Sequence, residues 1–323
     1  MPRLLQVKRP ARASRGLRHG RPLPGRLAPP IAGTMTAPGP FDERLVAVRR
    51  ARALAGAAVV APLATRLAQE VAARAADGVP AVPPATTPAA DGAPAKPPAT
   101  IRAPHRFERA LDLGCGAGWL LPHLPAALVV ALDPSPACAR AAQRAGFAAV
   151  AGRIDRPPFA PASFDLVASM GALDTVNDLP AALAAARALL RPGGRFQAAL
   201  AGGETLFALR RALFEAEEAA FGAVAARLHP MLDPAHAPAL LQRAGLADPV
   251  VDVERWTLRY RQLADLVRDL RAAGLTGALA SRPPRRGRSF WAGAAARFAA
   301  QADRDGRVAV GVTILHLRGS AGT

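Results

Sequence analysis

Residues Ala110–Leu120 read ALDLGCGAGWL, and this stretch decides the fold. A short apolar run leads into three glycines at alternate positions, Gly114, Gly116 and Gly118. Glycine lets the backbone take positive φ values and lets a ligand approach closely, because no Cβ is in the way. The apolar stretch from Trp119 predicts a helix, whose free N–H groups would face the ligand. The pattern therefore predicts a nucleotide-type cofactor site at the carboxyl edge of a parallel sheet.

The spacing of the glycines selects the cofactor. A dinucleotide fingerprint requires G-x-G-x-x-G, and Trp119 stands where its third glycine would be. Residues Asp112–Gly118 instead read D-x-G-x-G-x-G. This resembles the first motif of the class I S-adenosylmethionine (SAM) dependent methyltransferases, in which the glycine turn passes under the methionine and ribose portions of SAM. The resemblance implies SAM as the cofactor, with Asp112 and the three glycines in contact with it. The alternative is a tight strand–helix turn that binds nothing.

The stretch that follows alternates between strand and helix patterns, which is typical of a doubly wound parallel sheet. The predicted strands are Arg109–Leu113, Leu128–Leu132, Ala148–Ala151, Phe164–Ser169 and Phe196–Leu200. Helices are predicted at Pro134–Ala145 and Leu179–Leu190. FDLVAS at 164–169 and LRPGG at 190–194 resemble later motifs of the same superfamily. The resemblance implies an α/β, Rossmann-like fold with a mostly parallel seven-stranded sheet and helices on both faces.

Three further side chains are candidate contacts to SAM. Asp133 ends the second strand, where a carboxylate can accept both ribose hydroxyls of an adenosine; its alternative role is to cap the following helix. Asp155 lies near the place where many of these enzymes hold an acid toward the adenine amine, although Arg153 occupies the usual position. Ser169, at the end of the fourth strand, is also an expected cofactor contact.

The transfer step sets its own requirements. The methyl group must lie in line with a nucleophile at about 3–3.5 Å, and a general base is needed only where the acceptor is not already a nucleophile. Asp174, after the fourth strand, is the candidate for that base, and a solvated loop carboxylate is the alternative. His229 and Tyr260 are secondary candidates. Thr205 and Arg210 follow the fifth strand, where they either contact an acceptor or belong to the next helix.

Short motifs outside the glycine turn narrow the family. VNDLP at 176–180, GGETL at 202–206, RDLR at 268–271 and FDERL at 41–45 resemble one branch of the superfamily. That branch contains the mitochondrial complex I assembly factor that acts as an arginine hydroxylase and its alphaproteobacterial relatives, and it is similar to the biotin-pathway malonyl-carrier-protein methyltransferase. Asp174-Thr175 departs from the branch's usual His-Trp pair.

Three functions follow from this resemblance. The first is a SAM-dependent methyltransferase acting on a protein side chain or a carrier-bound carboxylate. The second is a SAM-binding hydroxylase or assembly factor whose partners are subunits of respiratory complex I. The third is a non-catalytic binding module on a methyltransferase fold.

The composition bounds the partners and the compartment. The net charge is +18, yet only Lys8 and Lys96 are lysine and the remaining 40 basic residues are arginine spread along the chain. This indicates the coding bias of a GC-rich genome, so no specific nucleic-acid partner is expected. Cys115 and Cys138 suit neither a zinc site nor a disulfide framework, so no metal is expected. The expected compartment is a bacterial cytoplasm or a mitochondrial matrix, where thiols stay reduced. No run approaches the ~18 apolar residues of a membrane span.

The chain divides into four parts on composition. Residues 1–34 carry eight basic residues and no acid, which predicts a disordered basic extension, with a targeting segment as the alternative and the start at Met1 or Met35 left open. Residues 35–75 are helical in pattern, and Phe41–Arg50 either covers the SAM pocket or packs on the sheet. Residues 76–100 form a Pro/Ala-rich linker, and residues 101–323 the SAM-binding, methyltransferase-like domain.

Overall fold

Seven strands form one sheet in the computed structural model, which describes residues 39–79 and 106–322. The strands are β1 (Phe107–Leu113), β2 (Ala126–Asp133), β3 (Ala148–Ala151), β4 (Phe164–Met170), β5 (Leu190–Gly202), β6 (Ala247–Tyr260) and β7 (Val308–Ser320). Their order is β3-β2-β1-β4-β5-β7-β6. Strands β1 to β5 run parallel, and β7 is antiparallel to both β5 and β6. The predicted Rossmann-like, mostly parallel seven-stranded sheet is therefore confirmed.

The strand order places a switch point next to β1. From β1 the chain moves outward to β2 and β3, and then returns to the other side of β1 to form β4 and β5. Ligands of open α/β sheets bind outside the carboxyl ends of the strands at such a point. β1 ends at Leu113, so the glycine turn lies directly at this switch point.

Seven helices cover the sheet in the described part of the chain. They are α1 (Glu43–Ala76), α2 (Pro136–Arg144), α3 (Leu179–Leu189), α4 (Phe207–Phe221), α5 (Ala237–Arg243), α6 (Leu263–Ala272) and α7 (Arg288–Ala299). Successive strand side chains point to opposite faces, so Ala110 belongs to the same apolar cluster as Val71 of α1, whereas Leu111 belongs to the cluster that contains Leu183 of α3. A third apolar cluster joins α4, α6 and α7 to the start of β7.

Helix α1 has two arms. Asp42 caps its start by accepting the backbone N–H of Leu45 at 3.0 Å. The arms Glu43–Gly56 and Val60–Ala76 meet at a bend of 109°. Pro62 lies just after the bend, where it has no N–H to donate and its ring crowds the carbonyl four residues earlier. The second arm packs on the sheet, and this bend directs the first arm across the carboxyl ends of the strands.

The start of α1 is tied to the loop that follows β4. The side-chain amide of Asn177 accepts the N–H of Phe41 at 2.8 Å and donates to the carbonyl of Phe41 at 3.1 Å. Phe41 also forms an isolated bridge with Leu279 and stacks edge-on against His229, with ring centroids 5.5 Å apart. The first arm of α1 is thus held in place by residues that surround the switch point.

Parts of the chain lie outside the described residues. These are the predicted basic extension 1–34 and the predicted linker from residue 80 onward. Over residues 39–79 and 106–322, no single helix has the length and apolar content of a membrane span. The two arms of α1, which are bent against each other, have that length and apolar content only when they are counted together.

Candidate functional site

The glycine turn has the backbone that its sequence predicts. Gly114, Gly116 and Gly118 have φ values of +93°, +51° and +81°. A Cβ on Gly114 would collide with the Cβ of Ala172, so glycine is required there by space as well as by conformation. The N–H groups of Gly114 and Cys115 both donate to the carbonyl of Leu132, at 2.7 and 2.9 Å, which ties the turn to the end of β2.

The helix expected from Trp119 is not formed. A 3₁₀ turn, Leu121–His123, stands there instead. Pro122 has no N–H to donate to a helical hydrogen bond, and Gly118, just before Trp119, has a positive φ that a right-handed helix does not use. The prediction of a helix N-terminus at the glycine turn was therefore wrong. The N–H groups of Gly114, Cys115, Gly116 and Gly118 are all donated within the protein, to Leu132, Asp133 and Cys115.

Asp133 is buried at the carboxyl end of β2, beside the turn. Its carboxylate accepts the N–H groups of Gly116 and Ser135, both at 2.8 Å. Ser135, not Asp133, is the N-cap residue of α2, which begins at Pro136. The alternative that Asp133 caps the helix is thus not what the structure shows, because this carboxylate joins the glycine turn to the segment before α2.

Arg50 reaches into the same place from α1. Its Nε donates to Asp133 at 3.2 Å, and its Nη2 donates to the carbonyl of Gly114 at 2.9 Å. The side chain is only 13% exposed. Burial alone would lower the pKa of Arg50, but the carboxylates of Asp133 and Asp174 outweigh it and raise the pKa. The guanidinium therefore stays charged and lies over the glycines.

Asp112 is buried behind the turn, and neither of its carboxylate oxygens has a hydrogen-bond partner. Burial and the neighbouring charge of Asp133 raise its pKa to about 8, whereas Arg50 opposes the shift. A buried acceptor without a partner costs free energy, so it marks a place that a cationic or hydrogen-bonding ligand would stabilise.

Two cavities open around Arg50. The larger, about 130 Å³, is lined by α1, the glycine turn, the end of β4, His229 and the segment after α6. The smaller, about 50 Å³, lies between α1 and the segment that contains Asp155. Pockets for drug-sized ligands have volumes of roughly 300 Å³ or more, so α1 and Arg50 close this site against a ligand of SAM's size.

Asp174 lies in the 3₁₀ turn Leu173–Thr175 after β4. Its Oδ1 is buried and has no hydrogen-bond partner. Burial raises the pKa of Asp174, and the positive charges of His229 and Arg50 oppose that shift. This carboxyl group is therefore a candidate proton acceptor close to the cavity.

Asp155 is paired rather than free. Arg153 donates to its carboxylate at 2.9 and 2.7 Å and also pairs with Glu43 of α1. These ion pairs lower the pKa of Asp155, with the Arg153 hydrogen bond as the largest cause. Asp155 lines the smaller cavity together with Pro134 and Arg50, and Arg153 links it to Glu43 of α1.

Residues 111–198 match a family model described as "Methyltransferase domain". The chain therefore carries a methyltransferase domain over these residues. An arginine-hydroxylase NDUFAF5, mitochondrial, of Danio rerio is 34% identical over 173 residues, which are 52% of this chain and 54% of that protein. A malonyl-[acyl-carrier protein] O-methyltransferase of Halorhodospira halophila is 36% identical over 185 residues, 54% of this chain and 61% of that protein.

This chain therefore spans little more than half the length of the curated relatives it matches. The resemblance predicted from the short motifs, to the arginine-hydroxylase and malonyl-carrier-protein methyltransferase branch, is confirmed. Among solved structures, the YcgJ protein of Bacillus subtilis aligns with a TM-score of 0.47 at 14% identity, over 68% of this chain and 94% of that one.

The methyltransferase domain leaves some predicted site residues away from the cavities. Ser169 is buried and donates to the carbonyl of Leu113 at 2.7 Å, so its hydroxyl joins β4 to β1. The hydroxyl of Thr205 donates to the Gly202 carbonyl at 2.8 Å. The hydroxyl of Tyr260, at the end of β6, donates to Asp269 of α6 at 3.1 Å. Neither Ser169, Thr205 nor Tyr260 lines either of the two cavities.

Two residues of the methyltransferase domain's site escaped the sequence analysis. Arg50 was one charge among many on an amphipathic helix, and Asn177 was noted only as part of VNDLP. They are 83 and 136 positions from their partners, Asp133 and Phe41. No signal in the sequence separates Arg50 from the other arginines of α1.

Proposed function

We propose that this protein transfers the methyl group of SAM to an acceptor carried by another macromolecule, either a protein side chain or a carrier-bound carboxylate. The observation that carries the proposal is the meeting of the glycine turn, Asp133 and Asp112 at the switch point beside β1. The relatives named malonyl-[acyl-carrier protein] O-methyltransferase support the carrier-bound acceptor. The compartment that goes with it is a bacterial cytoplasm or a mitochondrial matrix.

The residues at the switch point fit SAM. Asp133 offers a buried carboxylate to the ribose hydroxyls, and at Gly116 the space that a Cβ would fill is open, with Arg50 Nη2 3.7 Å from it. Asp112 has no hydrogen-bond partner for its carboxyl oxygens, and the positively charged end of the cofactor would favour the ionised form of this group. Asp155, which lines the smaller cavity, is assigned to the adenine end, within reach of Arg153.

Arg50 must release Asp133 before a ribose can take its place. The guanidinium occupies the carboxylate oxygen Oδ2 that also accepts the N–H of Gly116. A carboxylate that is fully buried under this arginine has no other open side. The first arm of α1 is therefore a cover for the cofactor site, and cofactor binding requires either its movement or a swing of the Arg50 side chain.

Asp174 is assigned the proton-accepting role. SAM, when bound, supplies a methyl group on a positively charged sulfur. Asp174 Oδ1, buried and without a partner, can hold the proton that the acceptor group loses. Burial raises the pKa of Asp174, and His229, which lines the larger cavity, opposes that shift. For an acceptor that is already an anion, such as a carboxylate, Asp174 serves to exclude water and to orient the acceptor.

Hydroxylation is a second candidate function. The relatives named arginine-hydroxylase NDUFAF5 favour it, with 34% identity for the Danio rerio protein and 32% for the human one. The partner would be an arginine-bearing subunit of respiratory complex I, as the resemblance of the short motifs implies. Asp174-Thr175, which replaces the branch's usual His-Trp pair, lies beside the larger cavity, and Thr175 lines it. This substitution is therefore placed where it would affect hydroxylation.

Two measurements test these proposals. SAM and S-adenosylhomocysteine should both raise the melting temperature of the protein, and failure of both would leave only the non-catalytic binding module. Incubation with SAM and malonyl-acyl carrier protein, followed by intact-mass analysis, should show the gain of one methylene group. A gain of one oxygen on a complex I subunit, in place of a methylene on any acceptor, would replace methyl transfer with hydroxylation.

A further inference from the structure

Helix α4 exposes three phenylalanines along one face. Phe207, Phe214 and Phe221 are 55%, 49% and 47% exposed, and they are spaced seven residues apart. Seven residues make almost two helical turns, so the three rings form one line about 21 Å long. The opposite face of α4, including Leu209 and Leu213, is buried in the cluster with α6 and α7. Contiguous apolar surface of this kind marks a place where a partner binds.

We call Phe207, Phe214, Phe221 and Trp291 the aromatic stripe. Trp291 of α7 is 43% exposed and extends the line beyond Phe221. Phe290 connects them, with ring centroids 6.1 Å from Phe221 and 5.1 Å from Trp291. Ring contacts thus join the Phe221 end of α4 to α7.

Two arginines hold the end of the aromatic stripe in place. Buried Glu217 accepts Arg227 Nε at 2.7 Å and Arg286 Nη2 at 2.8 Å. The hydrogen bond from Arg286 is the largest cause of the lowered pKa of Glu217, so the acid stays ionised. The guanidinium carbon of Arg286 lies 3.5 Å from the centroid of the Phe221 ring. Two cations share this one buried carboxylate, and the exposed Glu218, one turn before Phe221, offsets the second positive charge.

Exposed arginines surround the same end. The segment 281–288 reads SRPPRRGR, and Arg282, Arg285 and Arg288 are exposed. The segment contains no acid, and Asp42 is 3.9 Å from Arg282 as its ion-pair partner. We call these three residues the arginine rim. Apolar rings beside a positive rim are complementary to a surface that is apolar in the middle and acidic at its edge.

The aromatic stripe and the arginine rim are continuous with the mouth of the candidate active site. Arg227 stands two residues before His229, which lines the larger cavity. The segment that supplies the rim begins just after Ala278, another residue of the cavity wall. A partner seated on this surface is therefore next to the place where an acceptor group would enter.

We propose that the aromatic stripe and the arginine rim bind an acidic amphipathic helix of a partner protein. A line of rings at heptad spacing matches the apolar seam of a second helix, and helix-in-groove recognition uses such anchors. The chain's own remaining segments do not fit: residues 1–38 contain no acid, and residues 80–105 are Pro-rich with the single acid Asp91. That the partner also carries the acceptor rests on the proposed function, whereas the binding itself does not.

Designed peptides test the binding directly. The probe is a fluorescein-labelled helical peptide with leucine at heptad positions and glutamate elsewhere, and its binding to the full chain is followed by anisotropy. The same peptide with lysine for glutamate, and one with the leucines scrambled, should each bind at least about tenfold more weakly, since both charge and apolar seam are used. Phe214→Ala and the double variant Arg285→Glu/Arg288→Glu should each weaken binding about tenfold.

Matched controls keep the result specific to this surface. Leu63→Ala on α1 removes a comparably exposed apolar side chain, and Arg140→Glu on α2 reverses an exposed arginine. Both should leave the peptide affinity unchanged, and all variants should keep the melting temperature of the parent.

Three results would overturn the proposal. One is equal affinity for the three peptides or insensitivity to the stripe and rim variants. Another is tighter binding of a single-stranded oligonucleotide that depends on the same residues. The third is self-association in sedimentation experiments that Phe214→Ala abolishes, which would assign the surface to a second copy of the chain. SAM binding measured on the same samples separates a failure of the proposed enzyme from a failure of this surface.

Discussion

Arg50 of the N-terminal helix donates to the carboxylate of Asp133 at the end of β2, at 3.2 Å between Nε and Oδ2. The two residues are 83 positions apart, and the pair lies over the glycine turn of the methyltransferase domain. It puts a cation where the ribose of SAM is proposed to bind. Under the proposed assignment, the covering helix and the cofactor compete for one carboxylate.

Removal of that competitor should speed cofactor binding. Arg50→Met leaves Asp133 accessible without movement of α1, so the association rate of SAM should increase. Stopped-flow quenching of Trp119, which lines the larger cavity, would report it. Arg52→Met is the matched control, because Arg52 is exposed on the same helix arm and should leave the rate unchanged. A slower rate in Arg50→Met would show that Arg50 recruits the cofactor instead of excluding it.

Asp133→Asn should weaken SAM binding. Charge-assisted hydrogen bonds contribute about 1.5–3 kcal/mol, which corresponds to roughly 10- to 100-fold in affinity. Isothermal titration calorimetry with SAM would measure the change, after a melting curve has shown that the variant folds. Asp303→Asn changes an exposed carboxylate that pairs with Arg259 at the far end of the sheet and should bind SAM normally. Unchanged affinity in Asp133→Asn would remove this residue from the cofactor site.

Asp112 should make the stability of the protein depend on pH. Its pKa is raised from 3.8 to about 8, with burial as the main cause. The folded protein therefore keeps a proton that the unfolded chain has released, so the free energy of unfolding should fall as the pH rises between these two values. Chemical denaturation at a series of pH values should show a flatter profile in Asp112→Asn. Parallel profiles for the two proteins would contradict the assignment.

Asp174→Asn should lower kcat about 10²- to 10⁴-fold for an acceptor that must lose a proton, while the dissociation constant of SAM stays the same. Since burial raises the pKa of Asp174, the rising limb of kcat against pH should lie above the range of an ordinary aspartate and disappear in the variant. Asp174→Glu keeps a carboxyl group and should retain part of the activity. Full activity of Asp174→Asn would leave Asp174 as a structural loop residue.

Asn177→Ala should loosen the cover of the site. The amide makes two hydrogen bonds with the backbone of Phe41, each contributing about 0.5–1.5 kcal/mol. Amide hydrogen exchange in residues 41–50 should therefore become faster. Asp178→Ala removes the N-cap of α3, one position away, and serves as the control because it leaves the contact with Phe41 intact. Equal exchange in both variants would show that Asn177 does not hold the cover.

The sequence by itself determined the five parallel strands and the position of the glycine turn at the end of β1. The five parallel strands, the glycine turn and Asp133 at the tip of β2 all follow from local patterns: apolar runs of strand length, glycines where φ must be positive, and an acid at a strand end. These features can be predicted from the sequence because each depends on only a few neighbouring residues. The helix predicted from Trp119 is not formed, although the residues there are apolar, because Pro122 lies in the segment and a 3₁₀ turn forms instead.

Only the tertiary structure decided how the site is closed and charged. Arg50 and Asn177 gain their roles from contacts across 83 and 136 positions, and no local pattern distinguishes them from other polar residues. The raised pKa values of Asp112 and Asp174 likewise arise from burial, which depends on everything that packs around a group. Ser169 and Thr205 were candidate ligand contacts in the sequence. In the fold, their hydroxyl groups donate instead to backbone carbonyls, those of Leu113 and Gly202. Electrostatics and burial are properties of the assembled fold, and for that reason they could not be read from the chain alone.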